Sequence, residues 1–271
     1  MQVLTEILSG MYYPGRGIIA GRNEEGNNVL VYFLTGRSPS SKARMLKLGQ
    51  NTGAISTDVT DPTQLASGSS ALLLYPAIIP STNGIVISNG SQTNLLNSAI
   101  SSSEHLFLSG NRDDRVISME IMRKAFDRPS LIHDAQKDRM INQASYEPDS
   151  PNNTPRINLV ALNNGGTFHN VRYNSMQRPE HSFWDFGFER GAGLLLTTYS
   201  GENKDPLPSF AGPPVVGTLV DFNNVTKTAN SVYGALNPSY RIAVAALHVD
   251  SKKGNIIDRH IINPAEEEDF K

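Results

Sequence analysis

The sequence contains no cysteine, and this absence removes several kinds of chemistry. Without thiols the chain has no disulfide bonds, no thiolate metal ligands and no cysteine nucleophile. Histidine does not supply a metal motif either, because the six histidines show no HxH, HxxxH or HExxH spacing. The residue spacing therefore predicts no metal site.

Charge and long apolar runs are also scarce. Charged residues make up 18% of the chain and the net charge is −2, whereas nucleic-acid-binding proteins are usually basic. The longest apolar run, 71–79, is interrupted by Pro76 and is far too short to span a bilayer. The first residues lack the basic and apolar regions of a signal peptide. We expect a cytoplasmic protein with no nucleic-acid partner and no membrane association.

The pattern of strands and helices indicates the fold class. Two segments are predicted as helices, 93–102 and 113–125, because their apolar residues recur every three or four positions. Residues 3–8 form either a short helix or an extended lead-in. Strands are predicted at 17–21, 29–34, 45–48, 72–79, 85–88, 157–162, 167–173, 193–198, 215–220 and 242–249. Strands, then helices, then strands predict an α+β fold of layered sheets, in a single domain over residues 1–271.

Three arginines stand beside glycines at turns or strand ends, namely Arg16, Arg22 and Arg37. Glycine lets a ligand approach the backbone closely, and arginine binds phosphate or carboxylate with two hydrogen bonds. Residues 1–50 hold six basic and three acidic side chains, whereas residues 51–111 hold no lysine or arginine. This local excess favours a small anion over a polyanion as ligand. Surface arginines without a ligand are the alternative.

Two polar segments are further candidates for a binding site. Residues 88–93 read Ser-Asn-Gly-Ser-Gln-Thr, and their amides and hydroxyls suit a purine edge or an amide. The alternative is a turn that caps the next helix. Residues 146–157 contain three prolines, which stiffen the backbone. In this segment Glu147 is a candidate general base, or the segment is only a rigid surface connection.

Five segments taken in order resemble the archaeal-type IMP cyclohydrolase family. They are Tyr-Pro-Gly-Arg-Gly at 13–17, Gly-Arg-Ser at 36–38, Leu-Tyr-Pro at 74–76, Ser-Asn-Gly-Ser-Gln-Thr at 88–93 and Asn-Thr-Pro-Arg-Ile at 153–157. The second half of the chain matches more loosely, through 191–193 and 197–199. The resemblance implies a four-layer αββα sandwich similar to the N-terminal-nucleophile hydrolase fold, without a processed N-terminal nucleophile. It also implies a homo-oligomer, for example a tetramer, with no metal and no cofactor.

The resemblance also implies a reaction, the last step of de novo purine synthesis. A formylated aminoimidazole carboxamide ribonucleotide (FAICAR) closes its second ring to give IMP and loses water. By motif position, Tyr75 and Glu147 carry over as the catalytic hydroxyl and carboxylate. The catalytic basic residue falls on Lys42, or on Arg44 if the loop differs. The implied substrate-binding residues are Arg16, Arg37, Ser38, Asn89, Gly90, Gln92, Thr93, Asn153, Thr154 and Arg156.

Two departures from the family pattern keep an alternative function open. The family often has histidine at the position of Gln92 and arginine at that of Lys42. Glutamine can do the work of a histidine that only forms hydrogen bonds, but it cannot do the work of one that transfers a proton. The main hypothesis is therefore an IMP cyclohydrolase, and the alternative is a purine-nucleotide-binding protein that kept the pocket but lost catalysis. Amide hydrolysis on a related fold is a third hypothesis, disfavoured by the missing nucleophiles.

Overall fold

The computed structural model describes residues 1–63, 70–108, 112–126, 145–174, 176 and 178–264. Over these residues the strands form two antiparallel sheets, which confirms the predicted α+β class. The first sheet consists of β1 (Arg16–Arg22), β2 (Asn28–Thr35), β10 (Ala192–Thr197), β11 (Val215–Thr218), β12 (Arg241–Val249) and β13 (Ile256–Ile262). The second consists of β3 (Arg44–Leu48), β4 (Ile55–Val59), β5 (Pro76–Ser81), β6 (Gly84–Ser88), β7 (Arg156–Ala161), β8 (Gly165–Tyr173) and β9 (Pro179–Gly187).

The strand order shows that distant parts of the chain combine in each sheet. The first sheet has the order β11-β10-β1-β2-β12-β13, so its two central strands come from the N-terminal hairpin and their neighbours from the C-terminal third. The second has the order β3-β4-β5-β6-β7-β8-β9, with β6 and β7 paired across a long connection.

Seven helices are present in the described residues, and four of them lie on the outer faces of the two sheets. They are α1 (Leu4–Ser9), α2 (Pro39–Lys42), α3 (Ser70–Leu73), α4 (Gln92–Ser101), α5 (His105–Leu108), α6 (Asp114–Phe126) and α7 (Val225–Ala235). Helices α1 and α7 pack against the first sheet, whereas α4 and α6 pack against the second. Within the described residues, none of these helices combines the length and the apolar composition that crossing a membrane requires.

Strand β2 shows why the chain forms layers. All of its residues are buried, and alternate side chains point to opposite faces of a strand. Leu30, Tyr32 and Leu34 therefore pack between the sheets, whereas Val31 and Phe33 pack under α1 and α7. A third core lies between the second sheet and α4 and α6. The layers thus run helices, sheet, sheet, helices; the likeness to N-terminal-nucleophile hydrolases stays a prediction.

The two predicted helices are confirmed as α4 and α6, and α1 settles residues 3–8 as helical. The predicted strand at 72–79 is wrong in its first half, because Ser70–Leu73 is helical and β5 begins at Pro76. Thr57 on β4 explains the change of direction. Its hydroxyl donates to Leu73 O at 2.7 Å and accepts from Tyr75 N at 2.9 Å, which ties the turn to the sheet edge.

Candidate active site

A cavity of about 520 Å³ is lined by segments from both sheets. This volume is within the usual range for small-molecule sites. Its buried part, which we call the inner group, consists of Arg16, Glu147, Thr154 and Tyr199. A second part, which we call the rim group, consists of Arg37, Ser38, Ser40, Ser41 and Arg44. The remaining lining residues are Tyr13, Gly15, Thr35, Leu72, Leu73, Asp149, Asn152 and Leu207.

The inner group is centred on an ion pair between Arg16 and Glu147. Arg16 Nη2 donates to Glu147 Oε1 at 2.8 Å, and both side chains are almost fully buried. Arg16 is the first residue of β1, where its backbone N–H donates to Thr198 Oγ1 at 3.1 Å. The preceding Gly15 has a φ of +76°, and a Cβ there would overlap Thr198 and Tyr199. Glycine is therefore needed to bring Arg16 into this position.

Burial changes the protonation of these charged groups. Burial raises the pKa of Glu147, although Arg16 and Arg156 act in the opposite direction. Burial and the nearby Arg16 lower the pKa of Arg156. For Arg16, burial is opposed by the Glu147 carboxylate and by neighbouring tyrosines, and the outcome is a raised pKa. Arg16 is therefore a permanent cation beside a carboxylate that is more basic than usual.

The loop that carries Glu147 closes on itself. Glu147 N donates to Thr154 O at 2.8 Å, and Asp149 Oδ1 accepts from Thr154 N at 2.6 Å. The Thr154 hydroxyl also contacts Asp149 and the Tyr199 hydroxyl. Asn153 lies at the tip with a φ of +45°, and it does not line the cavity. Of the residues predicted in this loop, Glu147 and Thr154 thus face the cavity, while Asn153 forms the turn.

Tyr75 is buried behind the inner group. Its side chain is 3% exposed, and its hydroxyl lies 2.8 Å from that of Tyr32 on β2. It does not line the cavity. It nevertheless interacts with both arginines: it helps to raise the pKa of Arg16, and it partly opposes the burial that lowers the pKa of Arg156. The structure therefore brings Tyr75, Arg16 and Glu147 into one electrostatic cluster.

The polar segment 88–93 supports the site rather than lining the cavity. Asn89 Nδ2 donates to Pro155 O at 2.9 Å, and Asn89 Oδ1 accepts from Ile157 N at 2.8 Å. Gln92 donates to the same Asn89 oxygen at 3.1 Å and accepts from Arg156 Nη1. Asn89 thus fastens the start of β7, and Gln92 orients Arg156.

Two further residues of this segment complete the arrangement. The Thr93 hydroxyl donates to Gly90 O at 2.8 Å. A Cβ at Gly90 would overlap the Arg156 guanidinium, so the glycine makes room for that side chain. Arg156 Nε and Ser88 Oγ are buried and have no hydrogen-bond partner in the described part of the chain. None of the predicted binding residues Asn89, Gly90, Gln92, Thr93 and Arg156 lines the cavity.

The rim group contains hydroxyls and two arginines. Ser38 Oγ accepts from Ser41 N at 3.2 Å, which caps α2. Arg44 is buried, and its guanidinium donates to Ser41 O at 2.9 Å and Thr35 O at 3.1 Å. Arg37 donates to Asn203 Oδ1 at 3.1 Å. The rim therefore presents two arginines held by hydrogen bonds, with three serine hydroxyls that bond to one another between them.

The structure distinguishes the two candidates for the catalytic basic residue by position. Arg44 lines the cavity, whereas Lys42 is exposed and does not. Lys42 Nζ instead lies 6.0 Å from the centre of the Tyr240 ring. Of these two residues, only Arg44 is therefore placed to contact a ligand in the cavity.

Sequence reasoning missed several residues that line the cavity. Asp149 and Asn152 stand in the proline-rich loop, where only Glu147 and the residues after 152 were considered. Tyr199 belongs to the segment 197–199, which the family resemblance matched loosely, so a weak signal was present. Leu207 had no signal in the sequence.

In the part of the chain that the structure describes, no group of three or more histidines or carboxylates is arranged to hold a metal ion.

Two comparisons relate the chain to known proteins. No curated protein matches the chain. A family model described as IMP cyclohydrolase-like protein matches residues 13–106, which include the rim group, Arg16 and Tyr75. This match confirms, over residues 13–106, the resemblance to that family inferred from the motifs.

Proposed function

We propose that this protein is an IMP cyclohydrolase that closes the second ring of FAICAR. The observation that carries this proposal is the buried Arg16–Glu147 ion pair in a cavity of nucleotide size. It places a cation and a carboxylate within 2.8 Å of each other, next to the Tyr75 hydroxyl that the resemblance implies as catalytic. Glu147 lies outside the matched region, so its role is supported by geometry and motif position.

The reaction needs acid–base groups and correct positioning. The carboxamide nitrogen of the substrate attacks the formyl carbon, and a C–N bond forms. The formyl oxygen then leaves as water, taking one proton from the carboxamide nitrogen and one from the formamido nitrogen. Both reacting groups belong to one molecule, so the protein contributes mainly by holding them in contact. No covalent intermediate with the protein is required.

The inner group offers the two functions that this chemistry needs. Glu147, with its raised pKa, suits a general base that takes the carboxamide proton. Arg16 is held beside it by backbone and side-chain bonds, and its guanidinium suits the stabilisation of negative charge on the formyl oxygen. The resemblance implies that the Tyr75 hydroxyl assists departure of that oxygen; Tyr75 is buried behind the inner group, outside the cavity lining.

The rim group suits the phosphate of the nucleotide. Arg37 and Arg44 offer guanidinium groups, and Ser38, Ser40 and Ser41 offer hydroxyls on the same side of the cavity. Arginine binds phosphate oxygens with two hydrogen bonds. This assignment places the imidazole ring of the nucleotide at the inner group, where the second ring closes.

One observation favours the alternative function, a nucleotide-binding protein without catalysis. Gln92 is buried and bonded to Asn89 and Arg156, so it neither lines the cavity nor transfers protons. If the family histidine at this position is essential for proton transfer, the chain binds the nucleotide without converting it. The proposal also includes a cytoplasmic location and homo-oligomeric assembly, for example as a tetramer.

An absorbance assay of FAICAR conversion tests the proposed function. Purified protein should convert FAICAR to IMP at the same rate with and without EDTA, since the proposed catalytic groups are all protein side chains and need no metal ion. A rate abolished by EDTA would contradict the metal-free mechanism. Absence of conversion in a folded sample, together with tight binding of IMP in calorimetry, would select the binding protein instead.

A further inference from the structure

The hydroxyl of Tyr32 lies in the core between the sheets, where aliphatic side chains otherwise predominate. Tyr32 stands in the middle of β2 opposite Ile18 of β1, and its side chain is fully buried. A buried hydroxyl that packs only against apolar groups is unfavourable. A phenylalanine would fill the same place without this cost. The hydroxyl therefore needs an explanation that packing alone does not provide.

The Tyr32 hydroxyl has one hydrogen-bond partner in the described part of the chain, the Tyr75 hydroxyl at 2.8 Å. This bond joins the two sheets, because Tyr32 belongs to β2 and Tyr75 precedes β5. Burial and the adjacent Tyr75 raise the pKa of Tyr32 well above its usual value, although Arg16 and Arg44 act against this. Tyr32 thus stays protonated over the whole range in which the protein is expected to work.

The bond ties the Tyr75 hydroxyl to the opposite sheet. Both hydroxyls are buried, and either oxygen can be the donor. Removing one hydroxyl would leave the other buried without this partner, which is costly. The Tyr75 hydroxyl is therefore held by Tyr32, and Tyr75 in turn interacts with the Arg16 guanidinium.

We propose that Tyr32 is a positioning residue for the cyclisation, which holds the Tyr75 hydroxyl in place behind the inner group through the hydrogen bond between the two sheets. This inference rests on the proposed function, since it assumes that Tyr75 takes part in the cyclisation. Tyr32 itself does not line the cavity. It fixes the position of the Tyr75 hydroxyl from the opposite sheet.

A double-mutant cycle tests this role with purified, folded proteins. The variants are Tyr32→Phe, Tyr75→Phe and the double variant, and FAICAR turnover is measured for each. We expect Tyr75→Phe to reduce kcat about 10²-fold, as for other acid–base groups. Tyr32→Phe should reduce kcat about tenfold with KM unchanged, the effect of one hydrogen bond lost in the transition state. The double variant should be no slower than Tyr75→Phe alone, because Tyr32 acts through Tyr75.

Tyr233→Phe is the matched control, since this tyrosine lies on α7 beyond the first sheet and should leave turnover unchanged. Circular dichroism and thermal unfolding establish that each variant is folded. A wild-type kcat in Tyr32→Phe, a change confined to KM, or losses that multiply in the double variant would each overturn the positioning role. A wild-type protein without turnover would refute the proposed function itself, so the two failures are distinguishable.

Discussion

At the scale of single residues, Glu147 combines burial with two cationic neighbours. Its carboxylate accepts from Arg16, and Arg156 adds a second positive charge. Burial disfavours the ionised form, whereas the arginines favour it. The balance gives a raised pKa, which suits a base that must accept a proton and later release it.

Replacing Glu147 by glutamine should reduce turnover of FAICAR about 10²-fold or more, because a general base is lost. A base works only when ionised, so the wild-type rate should fall as the pH drops through the raised pKa of Glu147. The midpoint of this acid limb should lie above 4.5, the ordinary value for glutamate. Measured pH–rate profiles check both statements.

Glu120→Gln is the matched control, because Glu120 is half-exposed and paired with Arg112 on the surface. Its rate and pH profile should equal those of the wild type. A Glu147→Gln variant with a near-wild-type rate would remove Glu147 from the mechanism.

Gly90 contributes to the site because it has no side chain, which leaves space for the Arg156 guanidinium. We predict that Gly90→Ala displaces Arg156, since the new methyl group would overlap the guanidinium. Arg156 adds positive charge beside Glu147, so its displacement should weaken the affinity for anionic IMP about tenfold. Isothermal calorimetry measures this. Gly234→Ala on α7, where a Cβ meets no atom within 4 Å, should bind IMP normally. Equal affinity of both variants would show that Arg156 does not influence the binding site.

At the scale of secondary-structure elements, the outer face of the second sheet carries a buried histidine under α6. His169 on β8 accepts from Asn158 Nδ2 at its Nδ1, 3.0 Å away, and its Nε2 lies 3.1 Å from His181 Nδ1. The Phe126 ring at the end of α6 packs on the imidazole, with centroids 4.2 Å apart and ring planes tilted by 30°. Because Asn158 Nδ2 is a donor, this arrangement requires neutral His169, and burial followed by repulsion from His181 lowers its pKa well below 6.5.

This geometry predicts a loss of stability in acid. The unfolded chain binds a proton on His169 below about pH 6.5, whereas the folded protein does not until a much lower pH. The free energy of unfolding should therefore fall as the pH drops below that value, by up to about 1.4 kcal/mol per pH unit. Denaturant titrations between pH 8 and pH 5 measure the slope.

The slope should be reduced in His169→Gln and retained in His260→Gln, because His260 lies on β13 away from this cluster. A smaller slope remains in His169→Gln, since burial also lowers the pKa of His248. An unchanged slope in His169→Gln would show that protonation of His169 does not cause the loss of stability in acid.

At the scale of the whole molecule, each sheet depends on strands that are distant in sequence. The first sheet combines residues before 36 with residues after 191, and the second sheet lies between them in sequence. The cavity likewise draws on residues from Tyr13 to Leu207. Such interleaving is typical of one cooperative unit, since each sheet buries surface of the other.

We therefore predict one thermal unfolding transition, with equal calorimetric and van't Hoff enthalpies for the unit that unfolds. Saturating IMP should raise the midpoint of this single transition, because the ligand binds only the folded cavity. Differential scanning calorimetry measures both. Two transitions, with IMP shifting only one of them, would contradict the single domain.

The elements that depend on local pattern were predictable from the sequence. The three- and four-residue spacing of apolar side chains predicted α4 and α6, and the apolar runs at 17–21 and 29–34 predicted β1 and β2. Elements whose pattern is mixed were missed. Strands β4, β9 and β13 mix apolar with polar residues, and β9 and β13 lie at sheet edges. Helix α7 is rich in β-branched residues, which favour strands in isolation.

Some features of the candidate site were also predictable from the amino-acid sequence. The sequence shows which residue types are available: glycines beside arginines, the proline-stiffened loop with Glu147, and no cysteine. The folded structure was needed to show that Arg16 contacts Glu147 across 131 positions of sequence. It was also needed to show that Arg44 rather than Lys42 lines the cavity, and that Gln92 accepts from Arg156. These contacts depend on strand register and sheet packing, because both arise from the whole core and not from any local run of residues.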